Sequence, residues 1–325
     1  MSLSTARYIL CADAVTAAGF NLDVSVAVAQ ADLDMYETRT VSDEDSKATV
    51  APITYLDAEE NTADKYFAML ALLVTQLAVN LPGSLPPVPL YVRMPQTITQ
   101  QQLDNWYQTW RPDSGLEKVL GRVVLSHHTE HTHFSDVLKS LNEEEVVMAI
   151  SVDSPISALD TLSQRNLLQT SQHPWGVIAS EGAAGAVLAS HSMVEALKLI
   201  PQARLDSWHC EQGAGEQLMS SALRKQSKSV DDFGLLFSDM TNLRSQNEEY
   251  GFAIGARGER LTNPEQLVLS HSLWGYLGEA SLFATLALAL HHADSQRVRS
   301  LFLFGANDSR AMMTLSLSEQ GPTVT

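Results

Sequence analysis

The sequence has few features of a secreted, membrane-spanning or nucleic-acid-binding protein. Its 325 residues include only two cysteines, Cys11 and Cys210, which is too few for a disulfide framework. Polar residues interrupt the longest apolar segment, residues 67–81, which is shorter than the ~20 apolar residues that cross a bilayer. The N-terminus lacks the basic and apolar regions of a signal peptide. These absences predict a cytoplasmic protein.

Basic residues are also scarce. The chain has 21 Lys and Arg against 38 Asp and Glu, which gives a net charge of −17. Nucleic acids and anionic membrane surfaces call for a basic patch, so this balance argues against both as partners. Hydrophobic residues make up 45% and charged residues 18% of the chain, which is typical of a globular protein.

Strand-like and helix-like segments alternate along the chain, which predicts an α/β fold with helices covering largely parallel sheets. The small side chains of residues 175–190 predict a pair of strands against which other backbone packs closely. Residues 278–291 predict a central, buried helix. No linker separates the two halves, so they are expected to share one core.

Residues 121–154 combine a strand, a polar turn, a helix and a second strand. Apolar runs at residues 123–125 and 146–150 predict the strands, and residues from about 132 to 141 predict the helix. Many α/β enzymes place a nucleophile on such a turn. Here the turn holds Ser126 and several histidines but no cysteine.

Several segments resemble the β-ketoacyl-acyl-carrier-protein synthases, a family of condensing enzymes with the thiolase fold. Residues 176–188, with EGAA at their centre, resemble the family's GF-x-x-GEGAA-x-x-x-L segment. Residues 136–154 resemble the helix and strand after its nucleophile. Residues 273–281 resemble its G-H-x-x-G-A-A-G helix start, and residues 304–307 its G-F-G-G-x-N loop. Residues 15–19, VTAAG, resemble its V-T-P-L-G turn.

The resemblance implies a five-layer αβαβα thiolase-like fold. Residues 1–325 would form one domain with two similar halves, at about 1–175 and 176–325. It also implies a homodimer, or a heterodimer with a related ketosynthase. An acyl thioester or an acyl carrier protein would be the ligand, and no cofactor is expected.

The family's chemistry uses a cysteine that attacks the acyl thioester and two histidines that hydrogen-bond the malonyl carbonyl oxygen. By resemblance, the cysteine position falls at Ser126 or His127, and the histidine positions fall at Asp239 and Tyr276. All three side chains are replaced. The sequence therefore predicts an acyltransferase-related protein that is inactive in condensation, acting as a non-catalytic partner or acyl-group binder in fatty-acid-like or polyketide-like biosynthesis. The resemblance also assigns substrate binding to Thr241, Gly305 and Asn307.

Two alternatives use the same turn. In the first, Ser126 is the nucleophile of an acyltransferase or thioester hydrolase, activated by His127 or by a histidine from another loop. In the second, the histidines at 127–133 bind a metal, with His127 and His131 one helical turn apart and Glu130, or a residue from elsewhere, as a third ligand.

Three arginines are candidates for docking an acidic carrier protein, Arg165, Arg257 and Arg260. The net charge of the chain would repel such a partner at long range unless these arginines cluster.

Overall fold

The computed structural model describes residues 6–33, 35–41, 47–59, 62–213, 217–305 and 308–318. Within them the strands are β1 (Arg7–Thr16), β2 (Glu37–Thr40), β3 (Lys47–Ala51), β4 (Val88–Arg93), β5 (Leu120–Ser126), β6 (Val146–Asp153), β7 (Ala179–Ser180), β8 (Gly182–Ser190), β9 (Ala203–Gln212), β10 (Leu235–Ser238), β11 (Val268–Leu269), β12 (Val298–Leu303) and β13 (Ser309–Leu317). The α-helices are α1 (Leu22–Gln30), α2 (Ala63–Val79), α3 (Gln100–Asp113), α4 (Glu130–Glu144), α5 (Leu159–Gln164), α6 (His191–Leu197), α7 (Leu218–Gln226), α8 (Arg244–Arg257), α9 (Ser270–Trp274) and α10 (Ser281–His291). None of the described helices is long and apolar enough to cross a membrane.

Ten strands form one sheet in the order β11-β10-β12-β13-β9-β1-β8-β6-β4-β5. Outward from β1, the N-terminal half has the order β1-β8-β6-β4-β5, which is its first, fifth, fourth, second and third strand along the chain. Outward from β9, the C-terminal half has the order β9-β13-β12-β10-β11, which is the same pattern. Short antiparallel pairing of β1 with β9 joins the two sets. The fold therefore consists of two similar halves around one core.

By this strand order the first half ends with β8 at Ser190 and the second begins with β9 at Ala203. The sequence placed the division earlier, at about residue 175. The small-residue segment was expected to contain a pair of strands. Instead, β8 is a single long strand between β1 and β6, and β7 pairs with β3 in a separate three-stranded sheet.

The expectation of largely parallel sheets was wrong. The pairs of β4 with β5 and β6, and of β10 with β11 and β12, are parallel. The remaining pairs of the large sheet are antiparallel, because the last strand of each half returns between the first and fourth strands.

Three apolar clusters separate five layers. Helices α2 and α3 pack on the outer face of the N-terminal strands, and α7 and α8 on the outer face of the C-terminal strands. Helices α4 and α10 lie between the two sets of strands. On β12, Leu301 and Leu303 point to this central layer whereas Phe302 points outward, as strand alternation requires.

The predicted central helix is confirmed as α10, whose residues 281–290 are all buried. Close packing around β8 is also confirmed. A Cβ at Gly185 would lie 2.7 Å from the Ala149 carbonyl oxygen, and one at Gly182 would lie 2.5 Å from that of Val15. Bulkier residues at these glycines would push apart the neighbouring strands of the first half.

Candidate functional site

The polar turn follows β5 and leads into α4. Ser126 ends the strand, and the helix begins at Glu130 with Thr129 as its N-cap residue. His127 and His128 are exposed on the turn, whereas His131 is fully buried in the helix. The expected helical pairing of His127 with His131 does not form, because His127 precedes the helix.

The exposed side chains of the turn have local partners. The Ser126 hydroxyl oxygen accepts a hydrogen bond from the His128 backbone N–H at 3.2 Å. His127 Nδ1 lies 3.1 Å from the Met94 carbonyl oxygen, and His128 Nδ1 lies 3.1 Å from Asp136 Oδ2. Within the described residues, no histidine ring nitrogen is hydrogen-bonded to Ser126 Oγ. The arrangement of a general base bonded to a serine nucleophile is therefore not formed at this turn.

The first turn of α4 places Glu130 and His131 in the interior. Glu130 Oε1 and His131 Nε2 are 3.9 Å apart, and both side chains are 1% exposed. The other imidazole nitrogen, His131 Nδ1, lies 2.7 Å from the Ser309 hydroxyl at the start of β13. The other Glu130 oxygen, Oε2, accepts the Leu282 backbone N–H at 2.7 Å.

Asp239 comes from the second half of the fold and meets this pair. It follows β10, and its two carboxylate oxygens accept the backbone N–H groups of Phe304 and Gly305 at 2.6 and 3.1 Å. One ligating atom from each of Glu130, His131 and Asp239 lies within 4.8 Å of the others. The interior site thus combines the start of α4 with the ends of β10 and β12. We refer to Glu130, His131 and Asp239 as the interior cluster.

Three further charged groups line one side of the interior cluster. Glu279 Oε2 accepts the Glu130 backbone N–H at 2.6 Å. Arg93, at the end of β4, lies 3.4 Å from Asp153 at the end of β6 and 3.8 Å from Glu279. Parallel strands β4 and β6 end side by side, which brings Arg93 and Asp153 together.

Burial and like charge shift the pKa values of these groups. Burial, followed by the charges of Asp239 and Glu279, raises the pKa of Glu130 well above its usual value. Burial raises the pKa of Asp239 to about 6, although hydrogen bonds from Phe304 and Gly305 oppose this shift. Burial lowers the pKa of His131 to about 3, so its imidazole is neutral at pH 7.

Tyr276 lies in the same electrostatic environment. Burial and the nearby carboxylates, including Asp153 and Glu130, raise the pKa of its hydroxyl. Its backbone N–H donates to the Ile178 carbonyl oxygen at 2.7 Å, which fixes the segment beside β7. The structure therefore places Tyr276 near Asp239, whereas Ser126 and His127 lie on the exposed turn.

The predicted substrate-binding residues have different surroundings. Gly305 lies against the interior cluster, since a Cβ there would be 2.8 Å from His131 Cε1. The buried Thr241 hydroxyl donates to Gln246 Oε1 at 2.8 Å. Asn307 lies outside the described residues. Substrate binding by these residues stays a prediction.

Neither cysteine provides an activated thiol. Cys11 is buried on β1, where burial raises its pKa to about 12. Burial also raises the pKa of Cys210, whose Sγ lies 3.6 Å from Ser309 Oγ. A catalytic cysteine needs a lowered pKa, which neither environment supplies.

Two of the three candidate docking arginines do cluster. Arg257 and Arg260 line a surface pocket of about 370 Å³ with Arg224 and Lys228, and Arg165 is not among its lining residues. We refer to Arg224, Lys228, Arg257 and Arg260 as the basic pocket.

Sequence reasoning missed the roles of Arg93, Asp153 and Glu279 and considered Glu130 only as a third ligand to exposed histidines. The sequence did contain a signal for Arg93 and Asp153. Arg93 and Asp153 directly end two apolar runs, and the ends of neighbouring parallel strands commonly meet at a site. Glu130 and Glu279 come together only through the packing of the two halves.

Several solved structures that are similar to this chain are ketosynthases. The chain is similar to the oxazolomycin ketosynthase domain OzmH KS7 of Streptomyces albus JA3453, with a TM-score of 0.71, 14% identity and coverage of 99% of this chain and 76% of that one. It is also similar to a chain of AntDE:AntF, a type II polyketide synthase acyl-carrier protein in complex with its ketosynthase (TM-score 0.68, 10% identity, coverage 96% and 99%). The ishigamide ketosynthase/chain length factor matches with a TM-score of 0.65, 12% identity and coverage of 96% and 99%.

No protein-family profile and no curated protein matches the sequence. The structural similarity nevertheless extends over nearly the whole chain, and it defines the class of fold. The protein has the thiolase-like fold of ketosynthases. The fold class expected from the sequence is confirmed.

Proposed function

We propose that this chain is a non-catalytic partner of a ketosynthase in fatty-acid-like or polyketide-like biosynthesis. The observation that carries the proposal is the composition of the site. Two buried carboxylates and a neutral imidazole, Glu130, Asp239 and His131, lie at the start of the helix that follows the nucleophile turn in the resembling family. None of these side chains can act as the thiolate that condensation by the family's mechanism requires.

The second support is a sheet edge with which no described strand pairs. Strand β5 ends the ten-stranded sheet, and its residues Val123, Val124 and Leu125 are partly exposed. An apolar edge strand of this kind is a template for pairing with a strand of another chain. The Gln100 side chain already accepts the Leu125 N–H, so the partner strand would pair along the preceding residues. Similarity to a ketosynthase/chain length factor favours a related ketosynthase as that partner.

The basic pocket supports a role in carrier-protein docking. An acyl carrier protein is acidic. Four cationic side chains and one acidic side chain, Glu259, line the pocket, which gives this acidic chain a local surface of the opposite sign. One of the similar structures is itself a complex of an acyl-carrier protein with its ketosynthase.

Co-expression with a cysteine-containing ketosynthase from the same genome tests the partnership. We expect a one-to-one complex in sedimentation velocity. We expect Val123→Pro to prevent it, because the N–H of Val123 lies on the same outer side of β5 as that of Leu125 and proline removes it. The control is Val79→Thr, which changes another exposed apolar side chain. A proline at this position would disrupt the end of a helix. A stable chain that forms no complex with any such ketosynthase would refute the partnership.

Charge reversal tests the docking surface. The variant Arg257→Glu should weaken binding of the carrier protein to the complex, with a loss that shrinks as salt is added. Arg165→Glu is the matched control, since Arg165 is exposed but outside the basic pocket. Equal effects of the two changes would show that only net charge matters.

A further inference from the structure

We propose that the interior cluster of Glu130, His131 and Asp239 binds one divalent transition-metal ion, with Zn²⁺ or Mn²⁺ as the best-suited ions. One imidazole nitrogen and two carboxylate oxygens form a donor set that both ions accept. The inference is independent of the ketosynthase partnership, since the ion would bind within this chain whether or not a partner is present.

The first observation is that two ligating atoms of the cluster have no partner. Among the described residues, Glu130 Oε1 and His131 Nε2 are buried and make no hydrogen bond. Buried polar atoms almost always have a partner, because losing hydration without replacement costs about 1–3 kcal/mol per group. The two atoms lie 3.9 Å apart. One possible ligand atom from each of Glu130, His131 and Asp239 lies within 4.8 Å of the others. The missing partner therefore belongs between them.

The distances suit an ion better than a proton. Two atoms that each lie ~2.1 Å from one ion are at most ~4.2 Å apart. The 3.9 Å between Glu130 Oε1 and His131 Nε2 falls within this limit. Asp239 would have to move at most slightly towards the other two ligands to meet the same limit. A shared proton would instead need two of the atoms within normal hydrogen-bond distance.

Other residues hold the three ligands in place. The Ser309 hydroxyl hydrogen-bonds His131 Nδ1, which lets the ring donate through Nδ1 and present the lone pair of Nε2. The Leu282 N–H holds one Glu130 oxygen and leaves the other directed into the cluster. The Phe304 and Gly305 N–H groups orient Asp239. Such second contacts are typical of metal sites, where they fix the direction of each ligand.

The charge balance of the region also favours a cation. Glu130, Asp239 and Glu279 bring three carboxylates together in the interior. Arg93 lies within 4 Å of Asp153 and Glu279, and Arg310 pairs with Glu249 at 2.9 Å. A divalent ion at the cluster would neutralise Glu130 and Asp239 without drawing either arginine from its partner.

An open cleft leads towards the cluster. It has a volume of about 480 Å³ and is lined by residues that include His127, Thr132 and Ser309. Because Ser309 also contacts His131, the floor of the cleft is one side chain away from the proposed ligands. A hydrated ion would enter through this cleft.

The test is a titration of the full chain, stripped of metal with a chelator, with Zn²⁺ and separately with Mn²⁺ in a calorimeter. We expect one ion per chain for at least one of them. Glu130→Gln and Asp239→Asn should each reduce the affinity by at least ~100-fold, more than the loss usually caused by an outer-contact change. His128→Gln removes an exposed imidazole on the neighbouring turn and should leave the affinity unchanged.

A second measurement needs no variant. Crystals grown with the bound ion should show an anomalous scattering peak among Glu130 Oε1, His131 Nε2 and Asp239, at the absorption edge of that metal. Failure of both ions to bind would overturn the proposal. Binding that persists undiminished in Glu130→Gln, or an anomalous peak at another site alone, would overturn it as well.

Discussion

Two buried glutamates in this protein have opposite surroundings. Glu181, just before β8, contacts Lys65 Nζ at 2.5 Å, and it accepts the Ile53 N–H at 2.6 Å and the Ser154 hydroxyl at 3.1 Å. Glu130 has no such cation, and one of its oxygens has no hydrogen-bond partner among the described residues. Both side chains are 1% exposed.

The two glutamates differ in whether the protein itself satisfies their carboxylates. The carboxylate of Glu181 is neutralised and hydrogen-bonded by the protein itself, so it holds α2, β6 and β8 together without an external ligand. The Glu130 carboxylate is held in place on one side only and is directed at two other donor groups. Buried polar atoms almost always have a partner, so this contrast supports the proposed ligand site at Glu130.

The largest effect that we predict comes from exchanging each glutamate for glutamine. Glu181→Gln leaves Lys65 buried without its counter-charge and should lower the free energy of unfolding by about 3–5 kcal/mol. Glu130→Gln in metal-free buffer removes one of several buried like charges and should cost less than ~1 kcal/mol. Urea unfolding at pH 7 measures both. Equal losses of unfolding free energy in the two variants would contradict this difference between Glu181 and Glu130.

A buried histidine with an unsatisfied nitrogen should make the protein acid-sensitive. His271 is 6% exposed, and its Nδ1 has no hydrogen-bond partner among the described residues. Burial lowers its pKa from 6.5 to about 4. The unfolded chain therefore binds a proton more readily than the folded chain, and stability is lost as pH falls below 6.5 towards 4. Its share of the loss between pH 7 and pH 5 is about 2 kcal/mol.

His271→Leu should remove that share, so that the variant loses less stability than the wild type over the same pH interval. His127→Gln is the control, because His127 is exposed and its substitution should leave the pH dependence unchanged. Identical pH dependence in His271→Leu and the wild type would contradict the account.

A smaller effect is expected where Gly305 meets the interior cluster. Gly305 has a φ of +60°, and a Cβ there would lie 2.8 Å from His131. Gly305→Ala should therefore cost about 1–2 kcal/mol through backbone strain and displacement of the imidazole. Gly251→Ala is the matched control. Gly251 lies in α8, and no described neighbour lies within 4 Å of the position that an alanine Cβ would take, so alanine should raise stability by about 0.5–1 kcal/mol. An unchanged free energy of unfolding in Gly305→Ala would show that the space beside His131 accommodates a methyl group.

Much of the fold could be predicted from the sequence. The apolar run at β6 and the strongly apolar α10 are buried almost throughout, so local composition is enough to identify them. Strand order and direction could not be predicted in the same way. They depend on β8 and β13 returning between earlier strands, which is a long-range property of the chain.

The site was only partly predictable. Asp239 and Tyr276 could be found because family-like motifs surround them. The start of α4 at Glu130 could not, because a polar turn of histidines and threonines gives no sharp helix signal and Thr129 makes no side-chain cap hydrogen bond. An error of two residues at that boundary moved attention from the buried Glu130 and His131 to the partly buried Ser126 and the exposed His127.

The proposed non-catalytic role requires that this ketosynthase-fold protein form no covalent acyl intermediate. The most direct measurement is the intact mass of the chain after incubation with acetyl, malonyl and longer acyl thioesters. We predict an unchanged mass at pH 7, even after hours with excess thioester. A stoichiometric acyl adduct that maps to residues 126–133, to Cys210 or to Ser309 would contradict the claim.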